Sequence, residues 1–117
     1  MKRLADDHGV ATVFASFVML ALLVVAVSIV QVGSSVAARH RAQSAADLAA
    51  LAAAGALDDG DESACSAAET IAHRMSVSVA TCMVEDWDVV VTVTATKELA
   101  AFGSKEVRAV ARAGPVE

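Results

Sequence analysis

Aromatic residues are nearly missing from this chain of 117 residues: one Trp, three Phe and no Tyr. A net charge of −5 and a pI near 5.0 deny it a basic surface as well. Together these absences exclude ordinary nucleic-acid binding, which needs a cationic face and often stacking rings. Proline occurs once, at position 115, so no proline interrupts the N-terminal half. The length permits one domain and leaves no room for a two-lobed catalytic architecture. No Gly-x-Ser-x-Gly elbow, Walker loop or dinucleotide fingerprint is present. The three histidines, His8, His40 and His73, lie far apart and form no ligand pair at metal-site spacing. The carboxylates gather in a loop and a turn rather than in an apolar cleft that would tune a pKa. The run at 58–62 offers oxygens for calcium but lacks the twelve-residue loop and terminal Glu of an EF-hand. No enzyme, cofactor, metal or small-molecule substrate is indicated.

What the chain does have is alanine and valine, 27 and 19 of them, within a hydrophobic fraction of 56%. From Gly9 to Ala38 there is no charged residue or histidine. The centre of that run, residues 10–30, has only Thr12, Ser16 and Ser28 as polar members. As a helix it is roughly 31 Å long, the thickness of a bilayer's hydrocarbon core. Thr and Ser can bond back to their own helix carbonyls, so they do not spoil a span. A buried core helix is the competing reading, but a chain this short cannot wrap an all-round apolar helix. A secretory signal cut after Ser35-Val36-Ala37 is another, although the run exceeds the usual apolar stretch of about 7–15 residues. The expectation is a transmembrane helix over 10–32.

Charge does not orient the span: Lys2 and Arg3 precede it, and Arg39 and Arg41 follow it. The cysteines are more informative. Cys65 and Cys82 both lie after the span and none precedes it. An even count in a small domain fits either a disulfide in an oxidising compartment or two separate buried thiols. A bond closing such a loop would contribute roughly 3 kcal/mol. The reading is a cytoplasmic N-terminus with the remainder outside the membrane.

After the span, residues 36–57 form a strong helix, rich in alanine. It continues the membrane helix into a rod of roughly 70 Å. Arg39, Gln43 and Asp47 make one polar stripe, with Leu48 and Leu51 on the opposite side. The alanines suit close helix packing, either on the chain's own domain or on another subunit. The acidic run at 58–62 ends this helix, and Ser63 reads as the N-cap of a second one, 64–75. From Val77 the apolar period shortens to two. Val77, Val79, Thr81 and Met83 alternate with Ser78, Ala80, Cys82 and Val84. Beyond a Glu85-Asp86 turn, Val89, Val91, Val93 and Ala95 share one face, and a third strand covers 105–113. The sheet's apolar face needs a cover, which only the two helices can supply. Cys65 could reach Cys82 and staple helix to sheet. Trp87 is a recognition anchor or a strand-end residue packed on the domain. The fold class is α+β: a long N-terminal transmembrane helix, one short helix and a three-stranded antiparallel sheet.

The junction Asp6-Asp7-His8-Gly9, followed at once by Val10-Ala11-Thr12-Val13-Phe14, resembles a prepilin-type processing site. More specifically, the chain resembles the TadE-like minor pilins (pseudopilins) of tight-adherence and Flp pilus loci, in their short actinobacterial form. The likeness rests on Gly9-Val10-Ala11-Thr12-Val13 and on Arg39-His40-Arg41-Ala42-Gln43 with the alanines after it. Cys65 and Cys82 and the ending Ala111-Arg112-Ala113-Gly114-Pro115 add to it. The resemblance implies cleavage after Gly9 by a prepilin peptidase, leaving Val10 as the new terminus. It implies a leader at 1–9, a span at 10–32, an extension at 33–57 and a head at 58–117. Implied partners are the membrane, the peptidase, other pilins or pseudopilins, a secretion ATPase and a platform protein. Typical pilins carry Glu as the fifth mature residue, where this chain has Phe14. A buried carboxylate there would need a partner. Phe14 makes membrane residence easy and implies a tip, initiator or membrane-retained role. Arg39, Arg41 and Trp87 are candidate interaction residues. The rival is a signal-anchored extracytoplasmic binding domain with no pilus role.

Overall fold

The computed structural model describes the backbone of residues 2–99 and 103–116, and the side chains of 9–97 and 103–116. Helix α1 runs Lys2–Gly55 and α2 runs Asp61–Arg74, with a 3-10 turn at Leu57–Asp59 between them. Strands β1 (Ser78–Glu85), β2 (Asp88–Leu99) and β3 (Gly103–Ala113) follow. The class is α+β, as expected. The chain divides into two units, Met1–Ser35 and Val36–Glu117.

In the first unit every side chain from 9 to 33 is exposed. Phe14 and Phe17 are 69% and 67% exposed. The helix from Gly9 is long and apolar enough to cross a membrane. Its hydroxyls are satisfied internally: Ser16 donates to the Thr12 carbonyl and Ser28 to the Val24 carbonyl, both at 2.8 Å. Helical backbone begins at Lys2, ahead of Gly9. One glycine costs a helix only about 1 kcal/mol and does not stop it.

The second unit is a sheet covered by alanine. β1, β2 and β3 form an antiparallel meander in that order. Val89, Val91 and Val93 are fully buried on one face, with Ala109 and Ala111 beside them. Against them lie Ala42, Ala45, Ala46, Ala49, Ala50 and Ala53 of α1, and Ala64, Ala68 and Ala72 of α2. Methyl side chains let a helix backbone approach a sheet closely, which explains an alanine-rich helix over a valine-rich strand. The alanine face of α1 thus packs on its own domain. Leu48 and Leu51, 49% and 62% exposed, point away from that core.

Four local expectations are corrected. Helix α1 ends at Gly55 rather than Leu57, because the backbone tightens into the 3-10 turn. Helix α2 begins at Asp61, not after Ser63, and no side chain caps it. Gly60, at φ 110°, turns the chain in a conformation that favours glycine, and Asp61 and Glu62 favour the helix's positive end. In β1 strict alternation fails. A bulge between Val79 and Thr81 inserts Ala80, so Val79 shares the inner face with Cys82 and Val84. β3 begins at Gly103, two residues before the expected start at 105, and the segment 100–102 between β2 and β3 lies outside the described residues.

Candidate functional site

The residues singled out in the sequence fall at separate places. Gly9 sits inside α1, and a Cβ there would meet nothing within 4 Å. Val10 is 70% exposed, and Phe14 stands one turn further on. Arg39, His40 and Arg41 are exposed on α1, just before the first buried alanine, Ala42. Gln43 then donates from Nε2 to Asp47 Oδ1 at 3.1 Å and to the Val110 carbonyl at 3.2 Å. That second bond ties the helix to the edge strand β3. Two of the five residues of the Arg-His-Arg-Ala-Gln segment are therefore structural: Ala42 packs and Gln43 ties, while Arg39, His40 and Arg41 stay exposed.

Cys65 and Cys82 are joined in a disulfide with Cα atoms 5.8 Å apart. The bond fixes the direction of the elements in the second unit. β1 starts just after α2 ends, and Cys82 of β1 meets Cys65 near the start of α2. The two elements are thus antiparallel. The β1–β2 turn lies at the end of the unit where α1 finishes and α2 begins. Trp87 is in that turn and 66% exposed, beside Asp86 at φ 56°. Packing of Trp87 on the domain is not what the structure shows. Arg39 and Arg41 lie the other way along α1 from this end, about 20 Å before Gly55. The structure does not bring them together with Trp87.

The hairpin end carries a cluster that the sequence reading missed. Arg112 donates to Asp88 Oδ2 from Nε at 2.8 Å and approaches it with Nη2 at 2.7 Å. It also lies 3.3 Å from Glu85. The hydrogen bond to Asp88, then that carboxylate's charge, hold the guanidinium above its ordinary pKa. Glu85 and Asp88 are opposite in the β1–β2 register, so Arg112 clamps both sides of the turn. Gly114 completes it: a Cβ at that position would collide with the Asp88 carboxylate. The Gly-Pro ending was the available signal, since a glycine beside a strand end often marks a close approach. Among the described residues, no His, Cys, Asp and Glu side chains gather in a group of three able to hold a metal.

Comparison with known proteins places the first half of the chain. Residues 9–56 match the family of putative Flp pilus-assembly TadE/G-like proteins. The matched segment is α1 from Gly9 to its end, including the alanines that cover the sheet. A curated relative from Mycobacterium tuberculosis (strain ATCC 25618 / H37Rv), named Apoptosis inhibitor Rv3654c, is 57% identical over 53 residues. That stretch is 45% of this chain and 63% of the relative, so the chain matches less than two thirds of the relative's length. No solved structure matches. The likeness to the TadE/G-like proteins thus covers residues 9–56, under half of the chain, and includes the exposed apolar helix.

Proposed function

We propose that this chain is a membrane-anchored minor pseudopilin of the TadE-like kind, a structural part of a Tad-type pilus or secretion machine. The observation that carries this reading is the family match, which opens at Gly9 where the polar leader gives way to the apolar helix. Large side chains on that helix are exposed all round, as a helix solvated by lipid requires. A prepilin peptidase cleaves after Gly9 and leaves the helix attached. The N-terminus is cytoplasmic and the head extracytoplasmic, where an oxidising compartment keeps Cys65 and Cys82 paired. The work is assembly rather than catalysis, with other pilins, a secretion ATPase and a platform protein as partners. Phe14 lacks the charge by which a pilin's fifth mature residue engages its neighbour, which favours a tip, initiator or membrane-retained role.

N-terminal sequencing of the membrane-extracted protein tests this directly. The expected terminus is Val10. An intact Met1 would instead mark a signal anchor, and a terminus at Ala38 a secreted domain. Gly9→Val blocks cleavage and raises the mature mass by the retained leader. A Cβ at position 9 meets nothing in the structure, so the substitution probes the peptidase and not the fold. An unchanged mature mass in that variant would sink processing at this site.

A further inference from the structure

Charge in the second unit is segregated to its two ends. At the end where α1 finishes lie the acidic turn at 58–62 and the hairpin end with Glu85, Asp86 and Asp88. Arg112 is the basic residue held among them. The opposite end is where residue 36 enters the unit and where α2 stops. There stand Arg39 and Arg41 of α1 and Arg74 of α2, all exposed. Lys97 and Lys105 extend this end along the sheet, away from the β1–β2 turn. Acids also stand toward this end: Glu69 of α2, Glu98 at its register position in β2, and Glu106, 3.6 Å from Arg108. Lys97 and Lys105 are direct partners in the β2–β3 register.

We propose that the basic end of the head seats on the anionic phospholipid headgroups of the bilayer that holds the 10–32 helix. The inference rests on the membrane-anchor reading above. It adds a second contact with the same membrane, made by α2 and the sheet rather than by the span. Two features select a lipid surface. The cations lie at the end of the unit reached by the apolar segment, so the chain itself delivers them toward the bilayer. The acidic end lies on the far side, where repulsion from anionic lipid reinforces the same orientation. Seated this way, the head presents the Trp87 turn away from the membrane. Each Lys or Arg near an anionic surface shifts the seated-to-free ratio by roughly fivefold, and salt weakens the effect over about 8 Å at physiological strength.

The chain's one tryptophan reports the orientation, since Trp87 belongs to the head and lies at its acidic end. The full chain is reconstituted into phosphatidylcholine vesicles with and without phosphatidylglycerol. Flotation establishes insertion, and the residual fluorescence anisotropy of Trp87 measures restraint of the head. Higher residual anisotropy is expected with phosphatidylglycerol, falling to the phosphatidylcholine value in high salt. Arg74→Gln with Lys105→Gln, both at exposed positions, lowers the seated-to-free ratio by roughly 25-fold and removes most of the difference. Equal anisotropy in the two membranes, with the protein floating in both, overturns the seating and leaves the anchor standing. A protein that floats with neither overturns both. Anisotropy that follows the protein-to-lipid ratio rather than phosphatidylglycerol means that opposite ends of two copies pair, and this overturns the lipid assignment.

Discussion

The two units are both apolar, yet they use apolarity in opposite ways. In the first, large side chains such as Leu22, Leu23, Ile29 and Val30 are about three-fifths to two-thirds exposed. In the second, the buried set is built of alanine and valine, with several alanines at 0% exposure. Large residues on a helix surface suit a fluid apolar solvent that fits any shape. Small residues suit a fixed partner that must come close. The hydrophobic fraction of the whole chain conceals this division. Side-chain size, not hydrophobicity, separates the part that faces lipid from the part that folds on itself.

The comparison breaks most sharply at the disulfide. The head core contains few large side chains, so the Cys65–Cys82 bond carries a large share of its stability. Replacing both cysteines with alanine is expected to cost about 3 kcal/mol. For a unit this size, that is a fall in melting temperature on the order of 10–25 °C. Near-UV dichroism in detergent follows the head, while far-UV helix signal follows the span. The head signal should melt early and the span's helix should persist. Simultaneous loss of both would mean that the units are not held by different forces.

A smaller effect tests side-chain size itself. Ala49 is at 0% exposure against the sheet. Ala49→Leu adds volume where none is free and should cost about 1–3 kcal/mol. Leu22→Ala makes the reverse change on the exposed helix and should leave the head's melting temperature unmoved. Equal shifts from the two substitutions would erase the distinction between the units.

Much of this architecture was legible because its signals are long. A charge-free run of 30 residues reads as a span without reference to any partner. The alternation in β2 put Val89, Val91 and Val93 on one face, and that face is buried. The failures are local and share a cause: single residues that change the geometry of an element. Ala80 looks like any strand residue, but as a bulge it exchanges the faces of everything before it. Gly60 moved the start of α2 through a positive φ that composition does not reveal. The sequence left open whether the alanines of α1 pack on their own domain or on another subunit, and the structure packs them on the valines while Leu48 and Leu51 stay exposed. At the candidate sites, Gly9, Arg39 and Trp87 stood out in sequence. The Gln43–Val110 tie and the Arg112 clamp join residues 67 and 24 positions apart; the first needs α1 packed on β3 and the second the β2–β3 register.

The smallest expected effect concerns that clamp, and it asks how firmly the head holds its Trp87 end. Arg112 is exposed, and its raised pKa means its favourable charge is fully present below the unfolded value. That contribution is lost only as pH rises through the still higher folded value, so it is constant across the neutral range. Gly114 is therefore a better handle than pH. A methyl at 114 cannot coexist with the Asp88 carboxylate in its present place, and the carboxylate must move away from Arg112. Gly114→Ala should lower head stability by about 1 kcal/mol or less, which is a few degrees in melting temperature. The cause is checked by repeating the substitution in an Asp88→Ala background, where the colliding group is gone. Most of the cost should disappear there, leaving only the contact with the Trp87 carbonyl, 3.1 Å from the added Cβ. An undiminished cost in both backgrounds would assign it to the backbone at 114. The clamp would then play no part in holding the turn that presents Trp87.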